Sequence, residues 1–241
     1  APWNSFRSIV ERIEVGDGIT AIGNYAFYQT TWVKEANLPT GLESIGDYAF
    51  AECSSLPAVT LPDGLTTLGF RAFESTGIKS IVVPASVKEM GGNVFMYCRA
   101  LESAVINGTM CNGMFYECPA LKNVTFNGTE LKEIPAYAFN SCTALEEINI
   151  PEGVTSIGMI DFWTPARISI PSTLEKLDAK VLGYGVTELI INNNDRFVNR
   201  DGIVYSADGT TILLCEKDVA GEVVVPEGVT TIARYAFAKC N

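Results

Sequence analysis

Apolar positions recur along this chain with a period near 23. Phe27, Phe50 and Phe73 stand 23 residues apart, each after an Ala, and Phe95, Phe115, Phe139, Phe162 and Phe237 continue the series. Pro39, Pro62, Pro84, Pro151 and Pro226 each lie eleven residues ahead of one of these phenylalanines. Pro171 points in the same way to position 182, which holds Leu182. Between the Pro and the Phe runs Val/Leu-x-x-Ile/Leu-Gly, as at 41–46, 64–69 and 153–158. A fixed period of this length sets the architecture before any local propensity does.

Ahead of each Pro runs Leu-x-x-Val-x-Leu/Ile. Leu56, Val59 and Leu61, or Leu145, Ile148 and Ile150, alternate toward the end of the segment as a strand with one inward face does. A unit this short cannot bury its apolar face alone, so each strand is expected to pair in parallel with its copy one coil away. The predicted fold is a mainly β solenoid, a right-handed superhelix of about ten coils with strands ~4.8 Å apart, a rod of about 45 Å. It forms one domain over residues 1–241, with a hairpin-containing insertion around 192–221.

Pro closes each strand because it has no N–H to give the ladder. The Gly after the second apolar pair suits a turn of positive φ, and the Ala-Phe step reads as one short helical turn. The phenylalanines then form an internal spine, each burying on the order of 150–250 Å².

Irregular coils are expected where the spacing slips. Asn107 to Phe115 is eight residues and Asn127 to Phe139 is twelve, and Asp161-Phe162-Trp163 lacks the Ala, with Trp163 expected outside. Pro171 to Pro226 spans 55 residues, 32 beyond one period. Within that excess, 202–206 and 211–214 read as two strands about an Asp208-Gly209 turn, a hairpin projecting from or capping a coil edge.

Assembled, the unit Leu-x-x-Val-x-Ile-Pro-x-x-Val-x-x-Ile-Gly-x-x-Ala-Phe-x-x-Cys resembles the BspA-like bacterial leucine-rich repeats over nearly all of residues 10–241. Leu56 through Ser75 and Val223 through Cys240 are clear examples, and the segment 201–210 resembles the hairpin insert found between such repeats. The resemblance implies a secreted or surface-attached bacterial protein that binds host proteins, such as matrix or mucin. It transfers no catalytic residue and no ligand.

Charge narrows the partners. Lys and Arg number 17 against 28 Asp and Glu, a net charge of −11, which repels phosphate backbones and anionic membranes. No run of 18 apolar residues forms a membrane span. The start, Ala-Pro-Trp, lacks a basic-then-apolar leader, as expected after removal of a signal peptide. The stop at Cys240-Asn241, just after a spine Phe, suggests either that the chain continues in the native protein or that the bare parallel edge is covered by another molecule, as in an end-to-end dimer.

Seven cysteines in an exported protein invite a disulfide framework, but Cys53, Cys98, Cys118, Cys142 and Cys240 each fall three residues after a spine Phe. One column of small buried hydrophobes accounts for them. Cys111 and Cys215 lie off that column and are assigned to packing. The absence of His removes Ser-His-Asp and Cys-His activation and the commonest metal ligand, and no cofactor is expected. Glu146 and Glu147, adjacent on a strand, point to opposite faces or sit on an outer row, not across a cleft. Asn107-Gly-Thr, Asn123-Val-Thr and Asn127-Gly-Thr fit a glycosylation sequon, but the Asn-Gly pairs stand where other coils carry Pro and read as turns.

A binding role is expected on the strand face, where each coil offers one outward side chain. That row is Glu14, Asn37, Thr60, Val82, Val105, Thr125, Asn149, Ser169, Ile190 and Val224. The candidates are Asn37, Thr60, Val82, Val105, Thr125 and Asn149, with Val82 and Val105 a small apolar patch. Trp3, Trp32, Trp163 and Tyr116 are aromatic anchors if they lie off the spine. A non-enzymatic surface binding or adhesion module is the leading expectation. Carbohydrate recognition through Trp163 near Asn192 to Asn194, or an architectural spacer, are the alternatives.

Overall fold

The computed structural model describes residues 9–128, 130–160, 166–178, 182, 186–238 and 240. The chain winds as a parallel solenoid, and each regular coil contributes to two ladders. In the first, Arg12–Glu14 pairs with Glu35–Asn37, Ser80–Val83 with Ser103–Ile106 and then Asn123–Phe126, and Glu147–Asn149 with Ala166–Ile170 and then Val186–Ile191. Register follows the repeat: Ile81 lies beside Ala104, and Ala104 beside Val124. The second ladder stacks Ala21–Ile22, Ser44–Ile45, Thr67–Leu68 and Glu89–Met90, then Glu133–Ile134 on Ser156–Ile157. The sequence reading took the Ile/Leu-Gly segment only as a mark before a turn. Two residues are too few to show an alternating pattern.

One predicted strand is missing from the first ladder. Leu56, Val59 and Leu61 are buried as expected, yet 57–61 forms no regular strand. In the preceding coil the Lys34 N–H donates to the Glu11 carbonyl at 2.7 Å. Pro57 fills the equivalent place and has no proton to give.

The glycines ending the second ladder are needed for space, not for positive φ. Gly46, Gly69, Gly91 and Gly158 are not among the residues of positive φ. A Cβ on Gly46 would lie 2.7 Å from the backbone nitrogen of Asn24, and one on Gly69 would run into the backbone of Asp47. Coils approach closely here, and only hydrogen fits.

No helix occurs among the described residues, so the short helical turn expected at each Ala-Phe step is replaced by another device. Two residues four apart in each turn take left-handed backbone: Tyr25 and Gln29 have φ of 57° and 60°, Tyr48 and Glu52 of 54° and 61°. The N–H groups of Tyr25, Phe27 and Gln29 donate to the carbonyls of Asp47, Ala49 and Ala51 in the next coil, at 2.7–2.9 Å. Those of Ala26, Tyr28 and Thr30 turn back three residues within the coil. A helix would keep every one of these protons inside the coil, whereas stacking calls half of them outward.

The phenylalanine spine holds over six coils. From Phe27 through Phe139 successive ring centroids lie 5.1, 5.2, 5.6, 5.8 and 5.9 Å apart. Phe162 and Trp163 lie outside the described residues, and Leu182 is fully buried. Phe237 does not join the main core. It packs on a separate cluster with Ile203, Tyr205, Ile212 and Ala236, because the inserted strands intervene.

That insertion is a three-stranded meander. Ile203–Ser206 and Thr211–Cys215 pair antiparallel as expected, about a turn in which Gly209 has φ 72°. Phe197–Arg200 adds a further antiparallel strand through the Asp201–Gly202 turn. Thr211–Cys215 then pairs in parallel with Thr231–Ile232, so a hairpin strand takes the place of a coil in the second ladder. The Asp208 carboxylate accepts bonds from the Ser206 hydroxyl and from the Thr210 N–H and hydroxyl, which holds its pKa below the usual value.

Candidate functional site

Strand register places the outward candidates on one row. Asn37 sits beside Glu14, Val82 beside Val105 and Thr125 in turn, and Asn149 beside Ser169. Thr60, in the irregular coil, is exposed between Asn37 and Val82. Val82 is 52% exposed, while Ser169 is buried beneath the Asn192 amide that donates to its hydroxyl. Val224 is exposed but belongs to no strand.

Charge is distributed unevenly along this face. At one end Arg12 contacts Glu14 at 2.8 Å and Glu35 at 3.5 Å, and Asn37 donates to both carboxylates. The Asn37 bond, followed by the Arg12 charge, lowers the Glu14 pKa. At the other end Arg167 bonds Glu188 at 2.7 Å and approaches Glu147 at 3.6 Å. Between them the outward positions of three paired strands are Ser80 and Val82, Ser103 and Val105, Asn123 and Thr125, none charged. Exposed ion pairs of this kind contribute about 0–1 kcal/mol each, so the clusters matter mainly in bounding a neutral strip.

The first ladder is broken twice, and depressions lie at both breaks. Asn37, Leu38, Thr60 and Leu61 line one of about 410 Å³, where Pro57 interrupts pairing. The other lies between Asn123–Phe126 and Glu147–Asn149, which belong to different sheets. Thr125, Phe126, Asn149 and Ile150 line a hollow of about 430 Å³ at one end of that break. Four of the six candidates therefore border depressions, and the remaining two, Val82 and Val105, form the strip between.

Cysteine chemistry is closed off. The Sγ atoms of Cys53, Cys98, Cys118 and Cys142 donate to the carbonyls of Phe27, Phe73, Phe95 and Phe115, at 3.1–3.3 Å. Burial pushes the Cys98 and Cys111 thiols up to about 11 and Cys53 and Cys142 up to about 12, and raises Cys118 well above the usual value. Thiolate is the reactive form, so these five are inert packing groups. Cys240 departs from the column reading and Cys215 from the packing one: the two form a disulfide, with Cα atoms 6.1 Å apart. The spacing could not show this pair, because the hairpin brings Cys215 beside the final coil.

The other signals resolve into structure. Glu147 belongs to the Arg167 cluster, and no group of three potential metal ligands occurs among the described residues. No described helix is long and apolar enough to cross a membrane. The N–H groups of Asn107 and Asn127 donate to Val83 and Ile106 in the preceding coils, a bond Pro cannot make, and their amides touch at 3.2 Å. Asn194 is buried and donates to the carbonyls of Pro171 and Leu174, both at 2.9 Å. With Asn192 committed to Ser169, two of the three amides expected beside a sugar platform are tied into the solenoid. Trp3 and Trp163 lie outside the described residues; Trp32 is exposed, and Tyr116 packs edge-on against Tyr97.

These features define a repeat protein of stacked parallel coils. Residues 4–102 and 108–185 match the BspA type leucine rich repeat region in six copies, and the chain belongs to that family. A leucine-rich repeat protein from Bacteroides ovatus is similar over 96% of this chain and 64% of its own, with 22% identity and a TM-score of 0.57. The T. pallidum leucine-rich repeat protein is similar over 56% of this chain and 64% of its own, with 28% identity and a TM-score of 0.51. The chain thus matches less than two thirds of the length of either. No curated protein matches it.

Proposed function

We propose that this chain is a non-enzymatic binding module of a secreted or cell-surface protein, engaging a protein ligand, such as host matrix or mucin, through the outward face of its first ladder. The observation that carries the reading is the neutral strip from Ser80 to Thr125, flanked by self-satisfied ion pairs at Arg12 and Arg167. An interface core depleted in charge and bounded by a polar rim has this composition. The Cys215–Cys240 disulfide supports an oxidising compartment.

Capture of matrix and mucin proteins by the immobilised chain tests it. Val82→Glu and Val105→Glu, both outward and free of core contacts, are expected to reduce capture at least about tenfold, the effect of ~1.4 kcal/mol. Undiminished capture by both variants, or none by the native chain, overturns the reading.

A further inference from the structure

We infer that the break between Asn123–Phe126 and Glu147–Asn149 is a docking groove for an extended basic peptide segment of a partner protein, which inserts one apolar side chain. The inference rests on the protein-binding reading above and gives it a place and a ligand chemistry.

The break originates in the sequence. From the last inward residue of the first ladder to that of the second is seven residues at Leu61 to Leu68, Val83 to Met90 and Ile150 to Ile157, but eight at Phe126 to Ile134. The added residue lies in the connection that follows Asn123–Phe126, and this strand and Glu147–Asn149 fall in separate sheets. The inward residues record the consequence. Ala104 and Ile106 are each 1% exposed, whereas their neighbours Val124 and Phe126 are only partly buried. An opening that uncovers core-facing Phe126 offers an apolar side chain more than a flat strand face does.

Carboxylates stand at both ends. Glu152, which accepts from the Ser172 N–H and hydroxyl, lines the 430 Å³ hollow, and Glu146 and Glu147 line a second depression of about 400 Å³ at the opposite end, beside Lys122; Glu147 also approaches Arg167 at 3.6 Å, a charge that Arg167 shares with Glu188. Lys122 lies 3.9 Å from Glu102, so its charge is shared with an acid outside the groove. Across a molecule of net charge −11, this surplus favours a cationic ligand and accelerates its approach. A four-residue strand spans ~13 Å, the distance between side chains two positions either side of a central residue in an extended peptide. A central apolar residue with Lys or Arg at those flanking positions matches the groove.

The test uses the full chain and a labelled Lys-Thr-Leu-Thr-Lys peptide, followed by fluorescence anisotropy. Saturable binding that weakens with salt is expected, at least about tenfold weaker for Glu-Thr-Leu-Thr-Glu and for Lys-Thr-Ser-Thr-Lys. Thr125→Arg and Asn149→Arg, on the exposed rim, are each expected to lose about tenfold, while Thr66→Arg, exposed just ahead of the strand Thr67–Leu68, leaves affinity unchanged. Absence of saturation, equal binding of the acidic peptide, or indifference to both rim variants overturns the inference. Protein capture that depends on Val82 and Val105 but not on Thr125 and Asn149 would remove the groove and leave the wider reading standing.

Discussion

Glu216, just past the hairpin strand Thr211–Cys215, accepts the backbone N–H of Leu189 at 2.7 Å, tying the inserted meander to the last strand of the first ladder. The same carboxylate oxygen accepts from the Asn199 amide at 2.7 Å, and Asn199 in turn donates to the Leu189 carbonyl. Glu216 is nearly buried and stands as the joint between two cores. Its replacement by Ala strands two donors away from water and is expected to cost about 2–3 kcal/mol. Urea unfolding measures the loss, and hydrogen exchange at Leu189 should accelerate.

Removing one ring from the spine should be felt beyond its own coil. Phe73 is fully buried between Phe50 and Phe95, and Phe73→Ala is expected to cost about 3–5 kcal/mol. Because coils are stabilised by their neighbours, exchange should rise in the 50 and 95 coils as well. Protection unchanged outside residues 62–84 would contradict this coupling.

A paired substitution separates spatial need from conformational need at glycine. In Gly69→Ala the new methyl meets the Asp47 backbone, and a loss of about 1–3 kcal/mol is expected. Gly41 has open space around it, so Gly41→Ala should leave the thermal midpoint nearly unchanged.

Thiol titration checks the cysteine assignment. Without reductant, five thiols should react in denaturant, Cys53, Cys98, Cys111, Cys118 and Cys142, and none in the folded chain near neutral pH. Burial holds these thiols protonated, with pKa values in the folded state above the ordinary value of 9.0. Their contribution is full below pH 9 and lost as pH climbs toward 11–12, because the unfolded chain sheds protons first. Stability should fall in that window, by up to ~1.4 kcal/mol per pH unit for each thiol.

Breaking the Cys215–Cys240 bond should act locally. The crosslink spans 25 residues and holds the final coil to the hairpin. Cys240→Ser is expected to destabilise that end by about 3 kcal/mol and to expose 216–238 to proteolysis, with the six-ring spine unaffected.

What the sequence revealed was whatever repeats with a side chain attached. Phe27 to Phe139, the thiols behind them and the paired outward residues Glu14 and Asn37, and Val82, Val105 and Thr125, were placed by counting, since stacked coils put equivalent residues in line, whereas Ser169 of the same row is buried. Backbone devices left no comparable trace: Tyr25 and Tyr48 carry left-handed φ although neither is a glycine, and no propensity for Tyr announces it. Nor did Pro57 advertise the missing strand, because Pro also marks ordinary strand ends in this repeat. The opening beside Phe126 coincides with one extra residue, visible as an odd spacing but meaningful only once the neighbouring strands were seen in separate sheets. Cys215 and Cys240 required the path of the insertion, which no periodicity encodes.

The left-handed turns give their edge of the solenoid an electrical direction. From Tyr25 onward the outward N–H groups all point toward the following coil and the carbonyls that receive them all face the preceding one, so peptide dipoles add along this edge as they do down a helix. One extremity of the edge is partially positive and the other partially negative. Two molecules meeting there by a two-fold axis would set like poles against each other, whereas head-to-tail joining continues the alignment. Each further coil stacked on this edge lengthens that alignment in the same sense.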